Sequence, residues 1–189
     1  MDFELNEEQL AIKEAASAFA KTELLPEVIE RDIKCEFPKE LVTKMAEMGF
    51  MGMMVPPEYG GGGMDTLSYV LVLEEIAKTD ASAAVIMSVN NSLVCWGLEK
   101  YGTEAQKKKY LTPLASGKSL GAFALSEPEA GSDATSQKTT AIDKGDHYLL
   151  NGTKNWITNG YSADYYLVIA QTNKEKKHRG ISVFIVERG

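Results

Sequence analysis

The chain has 189 residues, 44% of them hydrophobic and 25% charged, which is enough apolar material for one large or two small domains and excludes a disordered chain. Its 20 basic and 27 acidic residues leave a formal charge of −7, which argues against nucleic acid or an anionic membrane as the main partner. Two cysteines, Cys35 and Cys95, supply no disulfide framework and suit a reducing compartment.

Residues 1–10 carry neither a basic nor an apolar leader segment and are too acidic for a mitochondrial presequence. No apolar run approaches the roughly 20 residues of a membrane helix, because residues 70–73 run straight into Glu74 and Glu75. The expectation is a soluble, cytoplasmic protein. Residues up to about 115 read as helices. Asn6 with Gln9 three residues on predicts an N-terminal cap, followed by Leu10, Ala15 and Phe19 at helical spacing. A second helix is predicted from Pro38 to Gly49, with Leu41, Met45 and Met48 as its core stripe. Residues 65–78 and 82–100 are apolar nearly all round, as in central, buried helices. The four glycines at 60–63 predict a turn, since no Lys-Ser/Thr pair follows them to make a phosphate loop. Thr103 and Gln106 predict a second capping box, over a lysine-rich solvated face.

From about residue 119 the texture changes to alternating, β-branched and aromatic segments. Strands are predicted at 120–125, 139–142, 147–150, 156–158, 165–170 and 181–186, with turns at 143–146, 151–152 and 173–180. The fold class is therefore α+β, an N-terminal helical domain over residues 1–118 followed by a β domain over residues 119–189.

Two segments carry the chemistry: Phe123-Ala-Leu-Ser-Glu-Pro-Glu-Ala-Gly-Ser-Asp133 and Asn151-Gly-Thr-Lys-Asn-Trp-Ile-Thr-Asn-Gly160. The first joins an apolar strand to small residues whose backbone N–H groups can approach a phosphate. The second offers an aromatic face and hydroxyl donors. Together with Pro57-Glu-Tyr-Gly-Gly-Gly-Gly-Met-Asp65, Glu74-Glu-Ile-Ala-Lys-Thr-Asp80 and Tyr101-Gly-Thr-Glu-Ala-Gln-Lys-Lys-Lys-Tyr110, in that order, they resemble the acyl-CoA dehydrogenase family over nearly the whole chain.

The resemblance implies an FAD-dependent oxidoreductase of β-oxidation that removes an α-proton and a β-hydride from a short- or medium-chain acyl-CoA thioester. It implies a homotetramer with an electron-transferring flavoprotein as partner. By the same resemblance, Phe123, Leu125 and Ser126 would meet the flavin pyrimidine edge, and Gly131 and Ser132 the pyrophosphate. Ser132 would also touch the substrate's pantetheine arm, Trp156 and Ile157 would lie beside the ring, and Thr158 would reach the hydride-accepting nitrogen. The catalytic base is expected beyond Gly189, in a C-terminal helical bundle absent from this sequence. The chain alone is therefore expected to be a flavin cradle without turnover, and an acyl-CoA oxidase is the alternative activity. Ser126 stands where the family often has Thr, and Glu129 where it often has Asn or Gly. Val85, Ile86, Met87 and Val89 lie on a helix that in the family borders the acyl tail, and with residues 90–93 they point to butyryl- to hexanoyl-CoA. Glu127, fixed before Pro128, reads as a structural hydrogen-bond acceptor rather than a base. His147 and His178 show no metal-ligand spacing, so no metal site is expected.

Overall fold

The computed structural model describes residues 4–189 and divides into two compact units, the boundary falling between Ser119 and Leu120. In the helical unit, α1 (Glu7–Phe19) opens on the reciprocal cap: Gln9 N donates to Asn6 Oδ1 at 2.8 Å and Asn6 N to Gln9 Oε1 at 3.1 Å. It runs on through a π-helical turn, Ala20–Leu24. The short α2 (Val28–Lys34) is pinned by Arg31, whose guanidinium donates to the Leu24 and Pro26 carbonyls at 2.6 Å each and to Asp80 at 3.2 Å.

Next come α3 (Lys39–Glu47), preceded by Pro38 and followed by Gly49 at φ 77°, and α4 (Thr66–Thr79), capped by Asp65. Met45 of the predicted α3 stripe is fully buried, but Met48 is exposed, because it lies past the last helical turn as the C-cap. The glycines at 60–63 form the turn that leads into α4.

Capped by Asp80, α5 (Ala81–Ser88) passes through a π-helical segment, Val89–Cys95, into α6 (Trp96–Tyr101). The expectation of all-round burial is corrected here: Leu67 and Val70 on α4, and Val85, Leu93 and Trp96 on the 81–101 helix, are exposed, since each helix turns only one side to the core. This 21-residue helix is also long and apolar enough, by length and composition, to cross a membrane, contrary to the sequence expectation. Its packing makes it a core helix. Asn91 Nδ2 donates to the carbonyls of Phe50 and Met87, Asn91 Oδ1 accepts from Met53 N, and Asn90 Nδ2 donates to the carbonyls of Met51 and Leu114, all within this unit. α7 (Glu104–Gln106) carries the predicted Thr103 and Gln106 box and leads by a π turn, Lys107–Leu111, into α8 (Thr112–Ala115).

The second unit is a five-stranded mixed sheet in which β4 (Tyr165–Gln171) is the organising strand. β1 (Gly121–Ala124) runs parallel to it, Gly121 opposite Tyr165 through Ala124 opposite Val168. β2 (Thr140–Asp143) meets its far end at Gln171 and pairs antiparallel with β3 (Tyr148–Asn151). β5 (Ile181–Glu187) is antiparallel to β4 along seven residue pairs. Five of the six predicted strands are present, with bounds shifted by a residue or so. The sixth, 156–158, is not a strand, and Asn151-Gly152 does not close a hairpin: residues 152–164 are a loop in which Trp156 (φ 57°) and Asn159 (φ 64°) take left-handed backbone. Such φ values break an extended run, whatever its β-branched and aromatic composition suggests.

Candidate functional site

The first chemical segment leaves β1 at Ala124 and turns at once. Glu127 and Ala130 exchange backbone hydrogen bonds at 3.1 Å each, closing a tight turn over Pro128 and Glu129, after which Gly131 and Ser132 stand exposed. Asp133 then receives the hydroxyls of Ser136 and of Thr135, the latter at 2.7 Å, which hold its carboxyl below the usual carboxylate range. Glu129 points outward and pairs with Lys138 on the surface.

The second segment is laced to the first. Asn155 N donates to the Ser126 carbonyl at 3.0 Å, and Asn159 Nδ2 donates to the Gly121 carbonyl at 3.0 Å. With its amide oriented to satisfy both ends, Asn155 donates to the Glu127 carbonyl and accepts from the Trp156 indole N–H, each at 3.3 Å. Trp156 is thereby held on the lip of the first segment with 91% of its surface exposed. Left-handed backbone under a bulky aromatic is a sparsely populated conformation, the kind that persists where a fold over-determines it at a working site.

Beneath this lip lies the feature that sequence reasoning missed. The Lys154 ammonium donates to the Leu125 carbonyl (2.9 Å), Glu127 Oε1 (2.7 Å) and Gln137 Oε1 (3.1 Å), and its side chain is only 10% exposed. Glu127 also accepts the backbone N–H groups of Lys138 (2.5 Å) and Thr139 (3.0 Å). Burial pushes the Glu127 carboxyl up, but the hydrogen bonds from Lys154 and from residues 138–139 outweigh it and bring it down to about 2. A carboxylate so firmly ionised is a poor proton acceptor near neutral pH, which agrees with a structural role for Glu127. The motif string already contained Lys154; its partner lies 27 residues away, beyond local pattern.

The anticipated residues fall as follows. Phe123 is half-buried in β1 opposite Leu167; Leu125 and Ser126, half-buried, lie just past the strand end. Ile157 and Thr158 are half-buried in the loop, and none of the described hydrogen bonds uses the hydroxyl of Ser126 or Thr158. Hydrogen bonds therefore join residues 125–127 to Lys154 and Asn155, with Trp156 bonded to Asn155, while Gly131 and Ser132 stand one turn away along the first segment.

The donor set fits a flavin dinucleotide. A Cβ at Gly131 would meet no protein atom within 4 Å, and its φ is not left-handed, so nothing in the chain itself requires glycine there; a phosphate group approaching the backbone would. The described hydrogen bonds leave the N–H groups of Gly131 and Ser132 without a protein acceptor. An exposed indole and unused hydroxyls are the residue types that a polar-edged aromatic ring system calls for.

The acyl-CoA dehydrogenase N-terminal domain matches residues 6–118 and the acyl-CoA dehydrogenase middle domain residues 122–189. The short-chain specific acyl-CoA dehydrogenase of Clostridium acetobutylicum is 44% identical over 189 residues, 100% of this chain and 50% of the relative. Butyryl-CoA dehydrogenase from Megasphaera elsdenii, as a solved structure, superimposes with a TM-score of 0.95 at 45% identity, again over 100% of this chain and 50% of that one. A chain solved under the description electron transferring flavoprotein of Acidaminococcus fermentans reaches a TM-score of 0.97 at 50% identity, with the same coverage. The chain thus spans about half the length of the relatives it matches. With both domains matched in order and the fold shared throughout, the chain belongs to the acyl-CoA dehydrogenase family.

Proposed function

We propose that this chain supplies the flavin-holding part of an FAD-dependent enzyme that introduces an α,β double bond into a short-chain acyl-CoA thioester. The observation that carries the reading is the lacing of residues 125–127 to residues 154–156, which presents backbone donors and an exposed indole along one rim. FAD, when bound, supplies hydride acceptance. The chain's own residues bind and orient it. Phe123, Leu125 and Ser126 would hold the pyrimidine edge, Gly131 and Ser132 the pyrophosphate, Trp156 and Ile157 the ring, and Thr158 the hydride-accepting nitrogen. Ser132 would also steady the pantetheine arm of the substrate.

None of these residues abstracts the α-proton, and Glu127, held ionised by Lys154, is unsuited to do so. That proton transfer falls to a base outside residues 1–189, and the chain alone is expected to bind flavin without turnover. Short acyl chains are favoured because the relatives named for specificity are short-chain enzymes. Ile86 and Met87, residues expected near the acyl tail, are buried in the helical unit, whereas Val85 is half exposed. An electron-transferring flavoprotein as acceptor, a homo-oligomer and a cytoplasmic setting belong to the same proposal.

The test is to titrate the chain with FAD, then add butyryl-CoA anaerobically. Saturable binding that perturbs the flavin spectrum, and is weakened by Thr158→Ala through loss of a hydrogen bond of about 1 kcal/mol, is the expected result. No FAD binding, or binding indifferent to Thr158→Ala and Trp156→Ala, overturns the site; bleaching by butyryl-CoA would place a competent base within these 189 residues.

A further inference from the structure

The Leu125 carbonyl and the Ser126 N–H belong to one peptide unit. In a trans peptide they point in opposite directions, so whatever grips the oxygen acts on the hydrogen aimed the other way. What grips this oxygen is the Lys154 ammonium, at 2.9 Å. All three ammonium protons are engaged, on Leu125, Glu127 and Gln137, and the group is nearly sealed from water. A buried, charge-assisted bond to a carbonyl withdraws electron density along the peptide and makes its N–H a stronger donor.

Glu127 fixes the ammonium at that position. Its carboxylate is itself anchored by two backbone N–H groups, from Lys138 and Thr139, so the cation cannot swing away from Leu125 without abandoning a rigid counter-charge. The chain thus places a full positive charge behind one rim peptide.

We infer that Lys154 is a positioning residue for the flavin cradle: through the Leu125 carbonyl it orients and polarises the Leu125–Ser126 peptide, strengthening the Ser126 N–H as a donor to bound FAD. The inference rests on the proposed reading of residues 125–126 as the flavin's polar edge. A purely structural ion pair would make a different demand, because either partner would then matter equally.

That difference sets the experiment. Lys154→Met alone strands a buried carboxylate and is open to unfolding, so the comparison uses Glu127→Gln against the double variant Glu127→Gln with Lys154→Met. Glu127→Gln removes the counter-charge but keeps an amide oxygen at the same place to accept from the ammonium, which therefore stays on Leu125 and Gln137. The double variant removes the cation as well while keeping shape and neutrality. Two quantities are read in each: the Kd for FAD, and the amide proton shift of Ser126 in the FAD-free chain. The expected result is FAD affinity within about twofold of wild type for Glu127→Gln, and about tenfold weaker for the double variant. The Ser126 amide proton should move upfield in the double variant only. Equal losses in both variants, or an unmoved Ser126 amide in the double variant, overturn the inference. If the wild-type chain fails to bind FAD, the flavin reading falls, and the Ser126 shift still decides whether Lys154 polarises that peptide.

Discussion

The two units solve the problem of cohesion differently. Every one of the largest fully buried side chains, from Phe50, Leu24 and Met45 to Val72 and Val94, lies in the helical unit. The sheet unit buries mostly alanine, at 122, 124, 130, 141, 163 and 170, with Leu120, Leu167 and Ile169 as its larger apolar residues. It compensates with a buried polar knot at Lys154 and Glu127 and carries the most exposed aromatics among the described residues, Trp156 and Tyr161. The helical unit is thus held by apolar volume, and the sheet unit by directed hydrogen bonds that fix a rim and leave aromatic surface exposed.

The largest expected effect falls on the helical side. Phe50→Ala removes a fully buried ring that packs edge-on against Phe19 at 5.6 Å, and should cost about 3–5 kcal/mol, read as lost amide protection across the helical unit. Protection lost equally in both units would break the comparison. Next comes an acid test of the sheet unit. Glu127 is shifted from 4.5 to about 2 in the folded chain, so its stabilisation is full above pH 4.5 and is lost as pH falls from there through 2. At 1.36 kcal/mol per pH unit this amounts to about 3 kcal/mol. Glu127→Gln should flatten that dependence in the sheet unit alone, by hydrogen exchange between pH 2 and 5.

Smaller effects sharpen the same contrast. Asn6→Ala deletes the cap of α1 and should cost the helical unit about 1 kcal/mol, seen as faster exchange in its first turn. Trp156→Asn should do the opposite in the sheet unit. Relief of left-handed strain should add about 0.5–1 kcal/mol in urea unfolding while FAD binding weakens. A variant that lost both stability and FAD affinity would show that the Trp156 conformation carries no strain.

Legibility differed in the same way. The helical unit could be read locally, because a cap such as Asn6 with Gln9 or Thr103 with Gln106 is written within three residues. Five strands were legible from alternation, and the family from its motifs. The loop at 152–164 was not: Trp156, Ile157 and Thr158 have strand composition, and what bends them are bonds to Ser126 and Gly121, distant in sequence. The Lys154 and Glu127 pair escaped for the same reason, and Met48 because a helical stripe gives no notice of its last turn.

The parallel pairing of β1 with β4 sets a folding schedule. Leu120 N reaches Asp164 across 44 residues, and no short turn can bring such strands together. The helices of the first unit can form from neighbours, whereas the sheet must first close a long loop and bear its entropy. As the chain emerges from a ribosome, the helical unit can mature before β4 is synthesised. The rim that residues 125–127 share with 154–156 must then wait for β4, so the proposed flavin-holding part of the molecule is among the last to take shape.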